Sequence, residues 1–288
     1  MAVAERQHLT KAASALNLSP SAVSAAIKAL EAAHGLTLFH RVGRGIELTS
    51  IGRRFLGEAR ETLARARNAG RLLDELAGAE KGVIELQASQ TIANYWLPRR
   101  IMCFRAEHPG IEIELQVGNT TTVTEAVTTG VAEIGFIEGT IDEPSLMSRR
   151  IASDRLLIVV SSKRDADAFG DHVTDAGKLL SLQWVMREPG SGTRSVFEAG
   201  LRAHGLNADQ LDIVQTLPSN EAVLSAVRST TAAAALSESV VAPFLEKGDL
   251  HALPLALDLR AFTLLRHKER PLSAVAQAFE RHCTNDVH

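Results

Sequence analysis

The chain has 288 residues, of which 45% are hydrophobic and 23% charged, and a net charge of −3. That length is long for one core and implies two or more domains, while the composition is that of an ordinary globular protein. No window approaches the ~18 apolar residues of a membrane span, and the opening MAVAERQHLTKAA lacks the apolar core of a signal peptide. No membrane association and a cytoplasmic location are therefore expected. Cys103 and Cys283 lie far apart without metal-ligand spacing and read as two reduced thiols.

The net charge hides an asymmetry. Residues 1–56 hold Arg6, Lys11, Lys28, Arg41, Arg44, Arg53 and Arg54 against Glu5, Glu31 and Glu47, a balance of +4 that leaves −7 for the remainder. A basic head on an acidic body points to a polyanion partner for the head alone.

In the head, Thr10 is a candidate N-cap for a short helix carrying Ala12, Ala13 and Leu16. After a break at Asn17-Leu18, Ser19 caps a second helix with Pro20 at its first position. Val23, Ile27 and Leu30 give that helix one apolar stripe, and Gly35 stops it. Two short helices joined so tightly are either a plain helical hairpin or a helix-turn-helix, whose second helix reads DNA. On that helix Ser19, Ser21, Ser24 and Lys28 can hydrogen-bond phosphates or base edges. The following RVGRGIELTSIGRRFL places Arg41 and Arg44 around two glycines, between an apolar turn and a short strand Ile46–Leu48, as a basic wing would.

From Ala12 to Gly52 the order AAS-x-L-x-LSPSAVS-x-x-I-x-x-LE-x-x-x-G-x-x-LF-x-R-x-x-R-x-x-x-LT-x-x-G resembles the winged helix-turn-helix of LysR-type transcriptional regulators. The resemblance implies double-stranded DNA as a partner, with RNA polymerase as a further one. Two departures stand out. Family members begin roughly a dozen residues earlier, so Met1 falls inside the first helix. Many relatives also carry a polar or basic pair where this chain has Ala25 and Ala26, which shifts affinity from base edges to phosphates.

Residues 50–80 predict a linker helix. Ile51, Phe55, Ala59, Leu63, Ala66, Leu73 and Leu76 recur every three or four residues without a proline, over about 40 Å. Either its own effector domain or a second copy of the chain covers this stripe. The resemblance implies the second: a homo-oligomer, dimeric through this helix or tetrameric.

Past residue 82 strands and helices alternate. Strands are expected at Val83–Ala88, Ile111–Val117, 134–139 and Leu156–Val160, with helices from Thr91 to Glu107, broken at Pro98, and from Val123 to Gly130. A second series follows (strands 182–188, 212–217, 232–236; helices 194–204, 219–229, 238–247), then a strand 259–266 and a helix 272–283. Such alternation predicts parallel sheets. Paired crossovers between two α/β lobes would form a cleft, as in periplasmic solute-binding proteins. The expected fold is thus α/β: an all-α winged helix-turn-helix (1–56), a linker helix (50–80) and a two-lobed periplasmic-binding-protein-like effector domain (82–288). Lobe I spans about 82–157 and 262–288, lobe II about 158–261.

The stretch REPGSGTR (187–194) lies between a strand and a helix. Ser191, Gly192, Thr193 and Arg194 can cradle an oxyanion on hydroxyls and backbone N–H groups; the plain alternative is a glycine turn with Thr193 as helix cap. Ser89 and Thr91, Asn119 and Thr120, and Asn220 mark three more polar helix starts. Their coincidence predicts a small-anion site between the lobes. GSGTRS nearly reads as a dinucleotide fingerprint, but Ser195 replaces its third glycine. No metal-ligand spacing, Walker A motif or G-x-S-x-G elbow occurs, so neither an enzyme nor a cofactor is expected. A solute-binding protein remains the alternative of a different class. SQTI-x-NY-x-LP together with REPGSGTR resembles the branch regulating sulfur or carbon assimilation, which implies sulfite, sulfate or a phosphorylated metabolite as effector. At 228–238, where relatives have a glycine-rich turn, this chain has threonines and alanines.

Overall fold

The computed structural model describes residues 1–43, 45–76, 82–169, 176–255 and 257–285; Arg44, expected in the wing, lies outside them. The chain divides into two compact units, Met1–Leu73 with Thr129–Val131, and the rest.

The first unit opens with helices α1 (Ala2–Arg6), α2 (Leu9–Ala15) and α3 (Pro20–His34). The cap of α2 is His8, not the expected Thr10: His8 is extended (φ −151°) and its Nδ1 accepts the Lys11 N–H at 3.4 Å. Ser19 caps α3 through the Ala22 N–H at 3.2 Å, and Gly35 ends it in the left-handed region at φ 64°. The core is small. Val3, Ala12, Ala13 and Val23 are buried, with Leu9, Ile27, Phe39 and Ile46 packed against them, whereas Leu30 is 40% exposed.

The wing is an antiparallel hairpin of β1 (Phe39–Val42) and β2 (Gly45–Leu48). Only β2 was legible in the sequence, because β1 is mostly exposed and held by pairing rather than burial. The Glu31 carboxylate ties α3 to it by accepting the N–H groups of Leu38 (2.7 Å) and Phe39 (3.1 Å). Helix α4 (Ser50–Leu76) runs 27 residues. Gly52 lets it start against the wing, since a Cβ there would lie 2.1 Å from the Leu38 carbonyl oxygen. Ile51, Phe55, Leu63 and Leu73 of its apolar stripe are exposed.

The second unit begins with β3 (Gly82–Ser89). A helix follows, passing through a π turn (Ile92–Trp96) into α5 (Leu97–Glu107). Pro98 does not break this helix as expected. It sits in the first turn of α5, while the preceding Leu97 N–H reaches five residues back to Ile92, and the widened turn accommodates the proline's missing donor. Next come β4 (Ile111–Gly118), α6 (Thr120–Thr129), β5 (Ile134–Glu138), β6 (Leu146–Asp154), β7 (Leu156–Val160) and α7 (Lys163–Asp167). Then follow β8 (Gln183–Arg187), α8 (Gly192–Ala203), β9 (Asp212–Leu217), α9 (Asn220–Arg228), β10 (Ala234–Ser237), α10 (Glu238–Glu246), β11 (His251–Ala252), β12 (Arg260–His267) and α11 (Ala274–Asn285).

Lobe I is a five-stranded sheet in the order β4-β3-β5-β12-β6. Ile84, Leu86, Phe104, Ile134, Phe136 and Phe279 fill one face under α5 and α11. In lobe II, β7 lies between β10 and β11, and the parallel pair β8-β9 joins through a Trp184–Ala233 bridge. Trp184, Phe197 and Leu201 form its core. The chain crosses between the lobes at Arg155, linking β6 to β7, and again ahead of Arg260.

The parallel-sheet expectation is corrected. β3, β4 and β5 are parallel, as are β8 and β9, but β12 runs antiparallel to β5 and β6, and β10 and β11 antiparallel to β7. Alternation of strands and helices does not report the direction of a strand that returns from the other lobe. Strand β6 escaped the sequence because it is a sheet edge, where Arg149 and Arg150 face solvent and replace apolar alternation.

Candidate functional site

Ligands of α/β sheets gather at the carboxyl ends of parallel strands. In lobe I that edge carries Ser89 of β3, Glu138 of β5 and Asp154 of β6. Because β12 is antiparallel, its first residue, Arg260, reaches the same edge; the register pairs Arg260 with Asp154. Lobe II contributes Arg187 at the end of β8 and the starts of α8 and α9.

These groups form one buried polar cluster. Arg260, 3% exposed, donates from Nε to Asp154 Oδ2 (2.6 Å), from Nη1 to Thr193 Oγ1 (2.9 Å) and from Nη2 to Thr91 Oγ1 (3.2 Å). Asn220 donates to the same Thr91 hydroxyl at 3.1 Å. Arg187, 4% exposed, donates from Nη1 to Asn220 Oδ1 and grips Glu188 from Nε (2.8 Å) and Nη2 (2.9 Å). The Ser237 hydroxyl donates to the other oxygen of Asp154 at 2.8 Å. Glu138 accepts the Thr91 N–H at 3.0 Å, so a carboxylate occupies the positive start of the first body helix.

Direct bonds also join the lobes along both rims. On one, Gln90 donates to the Pro218 carbonyl and accepts the Asn220 N–H, each at 2.8 Å, and Asn94 donates to Glu221 at 3.1 Å. On the other, Asn119 donates to Glu188 at 3.2 Å and the Thr121 N–H to the Gly190 carbonyl at 3.3 Å. Tyr95 lies beside Glu221. Partial burial, then the charge and hydrogen bond of that carboxylate, raise its phenol above the ordinary 10.0.

The residues singled out in the sequence do not all take the expected positions. Thr91, Thr193 and Asn220 meet at the centre of the cluster. Thr120 lies beside it, its hydroxyl donating to the Glu138 carbonyl at 3.4 Å. Asn119 caps α6 and holds one rim. Ser89 stays inside lobe I, donating to the Phe136 carbonyl. The cap of α8 is Ser191, which accepts the Arg194 N–H at 3.5 Å; Thr193 faces Arg260 instead. Arg194, expected to supply the site's charge, pairs with Glu198 (2.7 Å) and donates to the Arg187 carbonyl (3.1 Å). Gly192 serves closure. A Cβ there would lie 2.6 Å from both the Glu138 carbonyl and the Thr120 hydroxyl, so only glycine lets the turn of lobe II touch lobe I.

Sequence reasoning missed Arg187, Arg260, Glu138, Asp154 and Gln90. A signal did exist for two of them: Arg187 and Glu138 each close an apolar strand at its carboxyl end, where side chains enter the cleft.

On the head, Ser19, Ser21, Lys28 and Arg41 are exposed, and Ser24 is half-buried. The Ser19 and Ser21 hydroxyls lie 2.9 Å apart. His40 faces Glu47 across the wing at 4.0 Å. Among the described residues no helix is long and apolar enough to cross a membrane, and no group of His, Cys, Asp and Glu could hold a metal ion.

A winged helix-turn-helix joined by a long helix to a two-lobed α/β domain with a polar cleft defines the class of ligand-responsive DNA-binding regulators. Residues 1–53 match the bacterial regulatory helix-turn-helix protein, lysR family, and residues 77–287 the LysR substrate binding domain. The chain belongs to the LysR family of transcriptional regulators. It is 33% identical over 276 residues, 95% of this chain and 91% of the relative, to the uncharacterized HTH-type transcriptional regulator YeiE of Escherichia coli K12. It is 30% identical over 285 residues, 96% of this chain and 90% of the relative, to the HTH-type transcriptional activator CmpR of Synechocystis. Full-length CbnR, solved in complex with its target DNA, superposes with a TM-score of 0.68 at 22% identity, covering 99% of this chain and 96% of that one. The regulatory domain of Synechocystis CcmR in complex with 2-PG superposes at 0.64 and 21% identity, over 71% of this chain and 97% of that one. These likenesses rule out the solute-binding and dinucleotide-enzyme alternatives: this is a ligand-responsive transcription regulator.

Proposed function

We propose that the cleft between the lobes senses a small oxyanion, inorganic or a phosphorylated metabolite, and that the head carries the response to DNA. The observation that supports this most is the pair of buried guanidinium groups, Arg187 and Arg260, meeting at Thr91, Thr193 and Asn220. Each guanidinium carries five donors, and each uses some of them on its own carboxylate. Forked donors beside short hydroxyls and helix starts suit a tetrahedral or pyramidal oxyanion, whose several oxygens can bridge groups from both lobes. The 2-PG complex of the CcmR regulatory domain is compatible with a ligand of this class.

On the head, exposed Ser19, Ser21, Lys28 and Arg41 suit phosphate and base-edge contacts in a major groove and its flank, with half-buried Ser24 beside them; Arg44 joins this proposed set by its sequence alone. The exposed stripe Ile51, Phe55, Leu63 and Leu73 on α4 suits a second copy of the chain. A dimer would place two reading helices on successive half-sites; tetramers and contact with RNA polymerase extend the same reading.

The test is thermal melting of the full chain at fixed ionic strength with sulfite, sulfate, inorganic phosphate and phosphorylated three-carbon acids. An anion at 100 times its dissociation constant adds about 2.7 kcal/mol, raising the midpoint by about 5–10 °C. No shift from any of them removes the oxyanion assignment and leaves the family intact.

A further inference from the structure

Five charged groups belong to the cleft cluster, and they do not balance. Arg260 is neutralised by Asp154, and Arg187 by Glu188. Glu138 is left over. It is 4% exposed, accepts one backbone N–H and, among the described residues, has no ion-pair partner. A buried carboxylate without a counter-cation is costly, and it lies against the point where the lobes meet: Gly192 packs on its backbone and Thr91 joins it to Arg260. The cluster thus holds three carboxyl groups against two guanidinium groups, a poor place for a second bare anion. It is a good place for an anion that brings a proton.

We infer that the cleft takes its oxyanion in a proton-bearing form, with the Glu138 carboxylate accepting the hydrogen bond from the ligand's O–H while Arg187 and Arg260 hold the unprotonated oxygens. The inference rests on the oxyanion reading above and narrows its ligand class. Hydrogenphosphate, hydrogensulfite and singly protonated phosphate esters qualify. Sulfate, which holds no proton near neutral pH, is excluded because it has no O–H to donate to Glu138. The hydrogen bond is worth most where it is buried, as here, because the alternative is two unpaired acceptors facing each other. The other charged groups of the cluster, Arg260 and Asp154 from lobe I and Arg187 and Glu188 from lobe II, are already mutually paired, and Glu221 with Tyr95 stands at the rim.

Calorimetric titration of the full chain with inorganic phosphate, sulfite and sulfate, at constant ionic strength and several pH values, reads this directly. The expected result is binding of phosphate and sulfite with uptake or retention of one proton. Sulfite affinity should fall about tenfold per pH unit once its last ionisation, near neutral pH, is passed, whereas phosphate, which keeps a proton throughout the accessible range, should hold its affinity, with sulfate at least about 100-fold weaker. Glu138→Gln keeps the acceptor for the Thr91 N–H and turns the remaining group into a donor. It should bind sulfate at least about tenfold better than wild type and lose the pH dependence for sulfite. Sulfate binding to wild type as tightly as phosphate, with no pH dependence, overturns the proton inference and leaves the oxyanion cleft standing. No binding of any of the three anions to either protein overturns the oxyanion reading itself. The wild-type sulfate-to-phosphate ratio and pH profile decide the matter without the variant, should Glu138→Gln fail to fold.

Discussion

The head and the cleft use the same kinds of residue in opposite ways. On the head, serines, a lysine and an arginine stand on a helix and hairpin over a core of a few small residues. In the cleft, threonines, an asparagine and arginines are buried and bonded to one another across two lobes. An exposed cation is cheap to lose and acts mainly through a partner's charge; a buried one supports its own fold, and removing it strands its partner. Substitutions should therefore separate the regions, the cleft answering in stability and ligand affinity and the head in the salt dependence of DNA binding.

The largest effect is expected at Arg260. Replacement by alanine leaves Asp154 buried and uncompensated, which costs about 3–5 kcal/mol and lowers the melting midpoint of the full chain by about 6–20 °C. Restoring shape and removing charge together, as Arg260→Met with Asp154→Leu, should recover most of that loss; a single variant melting within a degree of wild type would mean the pair carries no weight. Gly192→Ala comes next. Its Cβ collides with the Glu138 carbonyl and the Thr120 hydroxyl, so the lobes must separate locally, and anion affinity should drop tenfold or more. Unchanged affinity would show that closure at this turn is irrelevant to binding.

On the head, Arg41→Ala and Lys28→Ala should each reduce the slope of log affinity against log salt by about 1, with the midpoint of melting shifted by no more than about 0.5 kcal/mol equivalent. Ser19→Ala should cost about 1 kcal/mol through the lost cap of α3, read as a lower melting midpoint of the head. The smallest effect is spectroscopic. Tyr95 is the chain's single tyrosine, so an ultraviolet pH titration reports it alone. Its phenol should ionise above 10.0, and Glu221→Gln should move it down toward that value. A wild-type phenol titrating at its ordinary position would place Tyr95 and Glu221 further apart than they are here.

Much of the fold was legible because it rests on local chemistry. Ser19-Pro20 and Gly35 bound α3, the proline-free stripe set α4, and apolar strands alternating with capped helices marked both lobes. What stayed hidden was set by distant pairing. β1 and β6 are exposed strands with no apolar alternation, and the direction of β12 follows from the chain's return between lobes rather than from its residues. The site divides along the same line. Thr91, Thr193 and Asn220 announced themselves as polar residues at helix starts. Arg260 and Asp154 are joined across 106 residues, and no local pattern signals that. REPGSGTR puts Arg194 beside the glycines, but its pairing with Glu198, one helical turn on, does not show in that stretch.

That last contrast gives the most direct test of the cleft. An anion that stabilises the wild-type chain should be measured by thermal shift against Arg187→Ala and Arg194→Ala, each compared with its own anion-free midpoint. The geometry predicts that Arg194→Ala keeps a shift within a degree or two of wild type while Arg187→Ala loses nearly all of it. The reverse pattern, or an undiminished shift in Arg187→Ala, would contradict the assignment of the anion to the buried guanidinium pair.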